Sequence, residues 1–113
     1  MEADERQLLL TTAWMFMRHG QPARARSLCE ALVEDNPLDG TSAAAFAQLL
    51  LEDGEPGRAL EVLRAANYPA ELDHAEAVLE TRALAMSGRK GEAASRWRRY
   101  LESRKGSERR WVG

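Results

Sequence analysis

The chain has 113 residues, 44% of them hydrophobic and 30% charged, with a formal net charge of −2. That suits one globular domain and excludes a disordered chain or a catalytic domain joined to a regulatory one. A single cysteine, Cys29, excludes an internal disulfide framework and a CxxC metal or redox site. No apolar run approaches the roughly 20 residues of a membrane span, and Glu2, Asp4 and Glu5 stand where a secretory leader would carry lysines, so the expected location is the cytosol.

Ala, Leu, Glu and Arg dominate, and these residues lose least freedom on entering a helix, so the expected fold is all-α. In chain order the pattern predicts helices over about 5–19, 22–35, 41–53, 56–66, 72–87 and 91–104. The first holds "LLLTTAWMFM" and is apolar on nearly every side. Between the first and second, "HGQPARA" supplies a glycine whose left-handed backbone ends one helix and a proline that opens the next, where its missing N–H is no loss. Nearly the same wording returns as "DGEPGRA" and "SGRKGEA". "DNPLDGTS" closes the first helix pair, with Thr41 or Ser42 placed to cap the following helix. "NYPAELD" brings its proline two residues earlier in register than Pro37, which predicts an altered turn before the fifth helix.

Gly20, Gly54 and Gly88 are 34 residues apart, and so are Ala25, Ala59 and Ala93. Two triplets in one register mark an internal repeat whose unit is a helical hairpin. The alanines fall one turn into each second helix, where a small side chain lets the two helices approach closely.

A 34-residue two-helix unit resembles the tetratricopeptide (TPR) repeat. In that register the small residue of the first helix is Ala13, Ala47 and, less well, Thr81, and the large apolar position three residues on is Phe16, Leu50 and Leu84. The early aromatic position is Leu9, Ala43 and Ala77, which implies leaner packing than a consensus repeat. The resemblance implies three tandem hairpins, at about 5–37, 40–69 and 72–104, wound into a short right-handed superhelix with a concave groove. A single domain then spans 5–104, and 105–113 is a short basic tail. A small chain of three bare repeats is similar to the small chaperones of bacterial type III secretion systems. It looks most like the SctY (YscY) family, through the Leu-rich first helix with its central Trp, the "NP" ending the first unit and a last helix ending "RRYLES".

That resemblance implies a bacterial cytoplasmic protein that holds the small secretion substrate SctX and presents it to the export gate SctV, with no cofactor. The needle-subunit co-chaperone of the same systems and a general TPR adaptor are the alternatives. The family's register places Leu10, Trp14 and Met17, then Ala44, Gln48 and Leu51, then Val78, Arg82 and Ala85 on the concave surface. A mostly apolar groove of this kind suits an amphipathic helix or extended hydrophobic segment. A second copy of the chain is the expected cover when the partner is absent.

The remaining residues argue for binding without catalysis. His19 and His74 lack partners at metal-ligand spacing, and His19 beside Gly20 suits the negative end of its helix. Cys29 falls on an inward position, as do Trp97 and Tyr100. No phosphate loop, paired-carboxylate cleft or Ser/His/Asp set is visible. Residues 1–88 hold 15 acids and 7 Lys/Arg, whereas 89–113 hold 3 acids and 9 Lys/Arg. The run "RWRRYLESRKGSERRW" therefore forms a basic edge; a solvated edge or contact with an acidic protein surface is expected of it, ahead of nucleic acid.

Overall fold

The computed structural model describes residues 1–112, with side chains as far as Gly106. Six α-helices follow one another: α1 (Ala3–Arg18), α2 (Pro22–Asp35), α3 (Gly40–Glu52), α4 (Pro56–Ala65), α5 (Asp73–Met86) and α6 (Lys90–Val112), with a 3-10 turn over Ala70–Leu72. Among the described residues the one β pairing is an isolated bridge between Asp39 and Asn67. The all-α expectation therefore holds. α1 packs along α2, α3 along α4 and α5 along α6, while contacts of α2 with α3, of α4 with α5 and of α3 with α5 join the three hairpins in a row.

The hairpin turns are built alike. Gly20, Gly54 and Gly88 have φ of 70°, 75° and 78°, the left-handed region where a side chain is strained. In each turn the residue after the glycine donates its N–H back across the helix end: Gln21 to the Phe16 carbonyl at 2.8 Å, Glu55 to Leu50 at 2.8 Å, and Arg89 to Leu84 at 2.9 Å. This is the Schellman closure, made three times at a 34-residue interval. Pro22 and Pro56 then open α2 and α4. Ala25 and Ala59 are fully buried and Ala93 nearly so, as the small-residue argument requires.

The joints between hairpins differ from one another. At the first, the cap of α3 is Asp39, whose side chain accepts from the Thr41 N–H at 3.2 Å, in place of the expected Thr41 or Ser42. Ser42 instead donates to Asp39 at 2.6 Å, because Arg6 of α1 reaches across to Asp39 at 2.9 Å and to Asp35 at 2.6 Å and draws these groups together. Burial opposes ionisation of Asp39, but the hydrogen bonds from Ser42, Arg6 and the Thr41 N–H outweigh it and hold the carboxyl below the usual carboxylate range. At the second joint the altered turn is present: chain 66–72 passes through Pro69 and the 3-10 turn before α5 begins. Its first part is anchored, with the Asn67 N–H donating to the Leu38 carbonyl at 2.9 Å and the Tyr68 hydroxyl to Leu63 at 2.7 Å.

α6 departs from expectation in length. It runs on to Val112, past the helix end near 104 and the tail that the sequence pattern predicts. Lys and Arg in this stretch are good helix formers, and the lone Gly106 does not stop it. Arg109, Arg110 and Trp111 of the expected basic tail lie outside the described side chains.

Gly40 is the glycine most constrained by space. A Cβ there would overlap the Asn67 carbonyl oxygen and come within 2.7 Å of the Tyr68 ring, whereas at Gly57 it would meet nothing. Gly40→Ala is expected to cost about 1–3 kcal/mol through overpacking, and Gly57→Ala to gain about 0.5–1 kcal/mol from helix propensity; urea unfolding midpoints at constant slope test both. For Asp39 the sign follows from its lowered pKa: its contribution is full above the unfolded value of about 3.9 and disappears as pH falls through the lower folded value. Asp39→Ala is expected to lose about 1–3 kcal/mol at pH 7, with the gap to the parent chain closing toward pH 3 in a series of denaturation curves.

Candidate functional site

α1 buries one stripe and leaves the rest to solvent. Leu10 and Ala13 are buried, and Leu9, Phe16 and Met17 pack against the core, a run at helical spacing. Leu8 and Met15, seven residues apart on the other side, are 66% and 55% exposed, and Trp14 is 44% exposed between the two faces. Three of the seven large apolar side chains exposed among the described residues thus stand on this one helix.

The nine residues expected in a groove separate into three columns, each with a 34-residue interval. Met17 is half-buried, Leu51 is 2% exposed, and Ala85 is exposed. Leu51 is covered by the following hairpin: α5 lies against α3, and Leu51 joins Leu79, Ala83 and Leu84 in the core. Ala85, the third member, lies near the end of α5 and is exposed. Leu51 is therefore a packing residue, and Leu10, likewise buried, belongs with it. Ala44 and Val78, the successors of Leu10, are half-buried. The third column, Trp14, Gln48 and Arg82, is the open one, with Gln48 half-buried and the other two exposed. It runs from an indole through an amide to a guanidinium, so the open surface is apolar at α1 and polar at α5, not apolar throughout.

The sequence reading missed Leu8 and Met15, although the signal was present. Once Leu9, Leu10, Ala13, Phe16 and Met17 are assigned to the inward stripe, residues 8 and 15 must face away from it.

At the other end of the row, the 3-10 turn, α5 and α6 enclose a cleft of about 770 Å³. Glu71 and Asp73 line it together with Arg99 and Arg104, so both signs of charge are present. His74 and Tyr100 line it as well, with His74 Nδ1 3.1 Å from the Tyr100 hydroxyl, and the Trp97 and Tyr100 rings are 5.2 Å apart. Trp97 and Tyr100 are half-buried, turned toward α5 as the inward assignment requires. His74 thus serves an aromatic contact. Among the described residues no group of three His, Cys, Asp or Glu is arranged to hold a metal.

The same cleft is lined by Glu76, Glu80 and Arg96, which form an ion cluster. Arg96 bonds to Glu76 and, at 3.0 Å, to Glu80, while Arg64 of α4 approaches Glu80 at 3.4 Å. Burial and the neighbouring Glu80 carboxylate push the Glu76 carboxyl up, the Arg96 charge notwithstanding. For Glu80 burial acts in the same sense but is outweighed by hydrogen bonds from Glu76 and Arg96, and its carboxyl is held down. Cys29 is fully buried, and burial pushes its thiol up to about 11, so it carries no reactive thiolate near neutral pH.

No protein-family model matches the chain, and a search of curated proteins finds none similar to it. Among the described helices none is long and apolar enough to cross a membrane.

The division between packing and open positions predicts opposite stability effects. Leu51→Ala is expected to cost about 2–5 kcal/mol and Trp14→Ala less than about 1 kcal/mol, as read from chemical denaturation of the isolated chain.

Proposed function

We propose that the chain is a TPR-type binding protein whose exposed α1 face and open Trp14–Gln48–Arg82 column hold a segment of another polypeptide. Within that reading it acts as a type III secretion chaperone of the SctY kind, keeping a small SctX-like substrate in the bacterial cytoplasm and handing it to the export gate SctV. The observation that carries the binding reading is the exposure of Leu8, Trp14 and Met15 on one helix. Burying such side chains against a partner contributes roughly 1.5–3 kcal/mol each, and Trp is a common centre of binding energy. The threefold 34-residue turn supports the repeat assignment, and the resemblance of the first and last helices to the SctY family supports the secretion assignment.

A needle-subunit co-chaperone and a general TPR adaptor share this geometry and differ in the segment they take. An enzymatic role has no support: the cleft at α5 and α6 is open, and the thiol is sealed. Nucleic acid is disfavoured because the face with most unsatisfied surface is apolar, and a second copy is the default cover in the absence of a partner.

Co-expression with the products of small genes neighbouring its own, followed by sizing and mass measurement, tests the reading. The expected result is a stoichiometric complex with one such product, weakened at least tenfold by Trp14→Ala and Met15→Ser while the isolated variants keep their thermal midpoint. A complex indifferent to both substitutions, or a monomer that takes none of these products, would sink it.

A further inference from the structure

The second hairpin is covered on one side by the first, and the residues that meet it lie on one stripe. Ser42, Phe46 and Leu49 of α3, with its cap Asp53, follow one another at helical spacing. Ser42 accepts from Arg6 of α1 at 3.2 Å, and Asp53 accepts from Arg26 of α2. Phe46 lies under Arg58, which itself bonds to Glu30 of α2 at 2.8 Å. Leu49, between Phe46 and Asp53, is buried. In α5 the counterparts of Phe46 and Leu49 are Glu80, tied to Arg64 of α4, and Ala83, fully buried.

In α1 the same stripe reads Leu8, Thr12, Met15 and His19. Leu8, Met15 and His19 are exposed and Thr12 is half-buried. The outer side of α1 therefore carries, in the open, the positions through which α3 and α5 each receive the helix before them. Leu8 stands in the place of Ser42, and Met15 in that of Leu49.

The second helices add a charge to each joint. Arg58 of α4 takes Glu30 of α2, while Arg64 of α4 faces Glu80 and shares a small cleft with Glu92 of α6. Arg24 of α2 is the counterpart of Arg58 and Glu92. It is exposed, lies 5.8 Å from the centre of the Phe16 ring, and pairs with no carboxylate among the described residues. A second copy stacked in the order of the row would set α6 on this face. Arg98, the counterpart of Glu30 and Arg64, would then meet Arg24, and like charges across an interface repel.

We infer that the Leu8–Met15 side of α1 receives an amphipathic α-helix of the partner polypeptide as an added layer of the row. That helix runs antiparallel to α1, as α2 runs against α3, sets apolar residues on Leu8 and Met15, and presents an Asp or Glu to Arg24. Continuity with the two existing joints makes the occupant a helix, and Arg24 sets the sign of its charge. Docking of a helix through apolar anchors at helical spacing is a common mode of recognition. The inference rests on the reading of α1 as the face that holds another polypeptide, and adds the form and charge of what it holds.

The probe is a helical peptide copying Pro22–Asp35, the helix that covers α3, with Cys29→Ala and a hydrocarbon staple joining positions 27 and 31, which are exposed in α2. It is titrated into the full chain carrying isotope-labelled methionine methyl groups. The Met15 methyl signal is expected to shift saturably while that of Met86 on α5 stays in place. Arg24→Glu should weaken binding at least tenfold. A Glu30→Arg peptide should restore binding to that variant and bind the parent chain at least tenfold more weakly. Equal affinity in all four combinations, no shift of Met15, or a self-associated pair of chains that the peptide leaves intact would overturn the inference. A complex with a co-expressed gene product that is weakened by Trp14→Ala and Met15→Ser but indifferent to Arg24→Glu would keep the binding reading and overturn this one alone.

Discussion

Nine of the thirteen residues of α3 are buried, and they include Phe46, Leu49, Leu50 and Leu51. A helix of that length is marginal by itself in water, so its helicity is supplied by packing. α2, α4 and α5 all lie against it, and each buries its own apolar stripe by doing so. Small residues make this possible, since Ala43, Ala45 and Ala47 let neighbouring helices approach on several sides at once. The outer helices can afford polar and charged faces because the middle one has almost none.

The turns were legible in the sequence because their chemistry is local. A left-handed residue followed by a helix start needs glycine and favours proline two residues later, and the 34-residue interval made the reading redundant. Cys29 and the three alanines followed from the same register. What escaped the sequence depends on distant neighbours. The fate of Leu51 is set by α5, which begins only at Asp73, and a periodicity argument on α3 cannot tell a groove position from one covered by the next hairpin. The cap of α3 went to Asp39 and not to Thr41 or Ser42 because Arg6, more than 30 residues upstream, organises the carboxylates of that joint. The extra length of α6 shows the weakness of polarity as a stop signal: charged residues end an apolar face without ending a helix.

The third hairpin shows how one register serves two kinds of packing. Its backbone repeats the turn geometry of the others, down to the Arg89–Leu84 hydrogen bond. Its interior does not, since a carboxylate and a guanidinium replace Phe and Val, and an alanine position carries a hydroxyl. Turn chemistry and core composition are therefore separable in this chain, and a repeat identified from its turns need not have uniform stability along its length.

The two ends of the row meet water differently, and that contrast bears on where a partner belongs. The α6 end presents Arg98, Arg99, Arg104 and Lys105, all exposed. The α1 end carries acids in its first turn, Asp4 and Glu5, and then presents Leu8, Trp14 and Met15 over the following turns. Among the described residues Leu8 and Met15 are more than half exposed and Trp14 nearly half, whereas α1 turns Leu10, Ala13, Phe16 and Met17 to the core. Their exposure carries a solvation cost without an internal return, and a second polypeptide that buries them removes that cost. The proposal places its partner at the α1 end for this reason, with the charged α6 end left to solvent or to acidic surfaces.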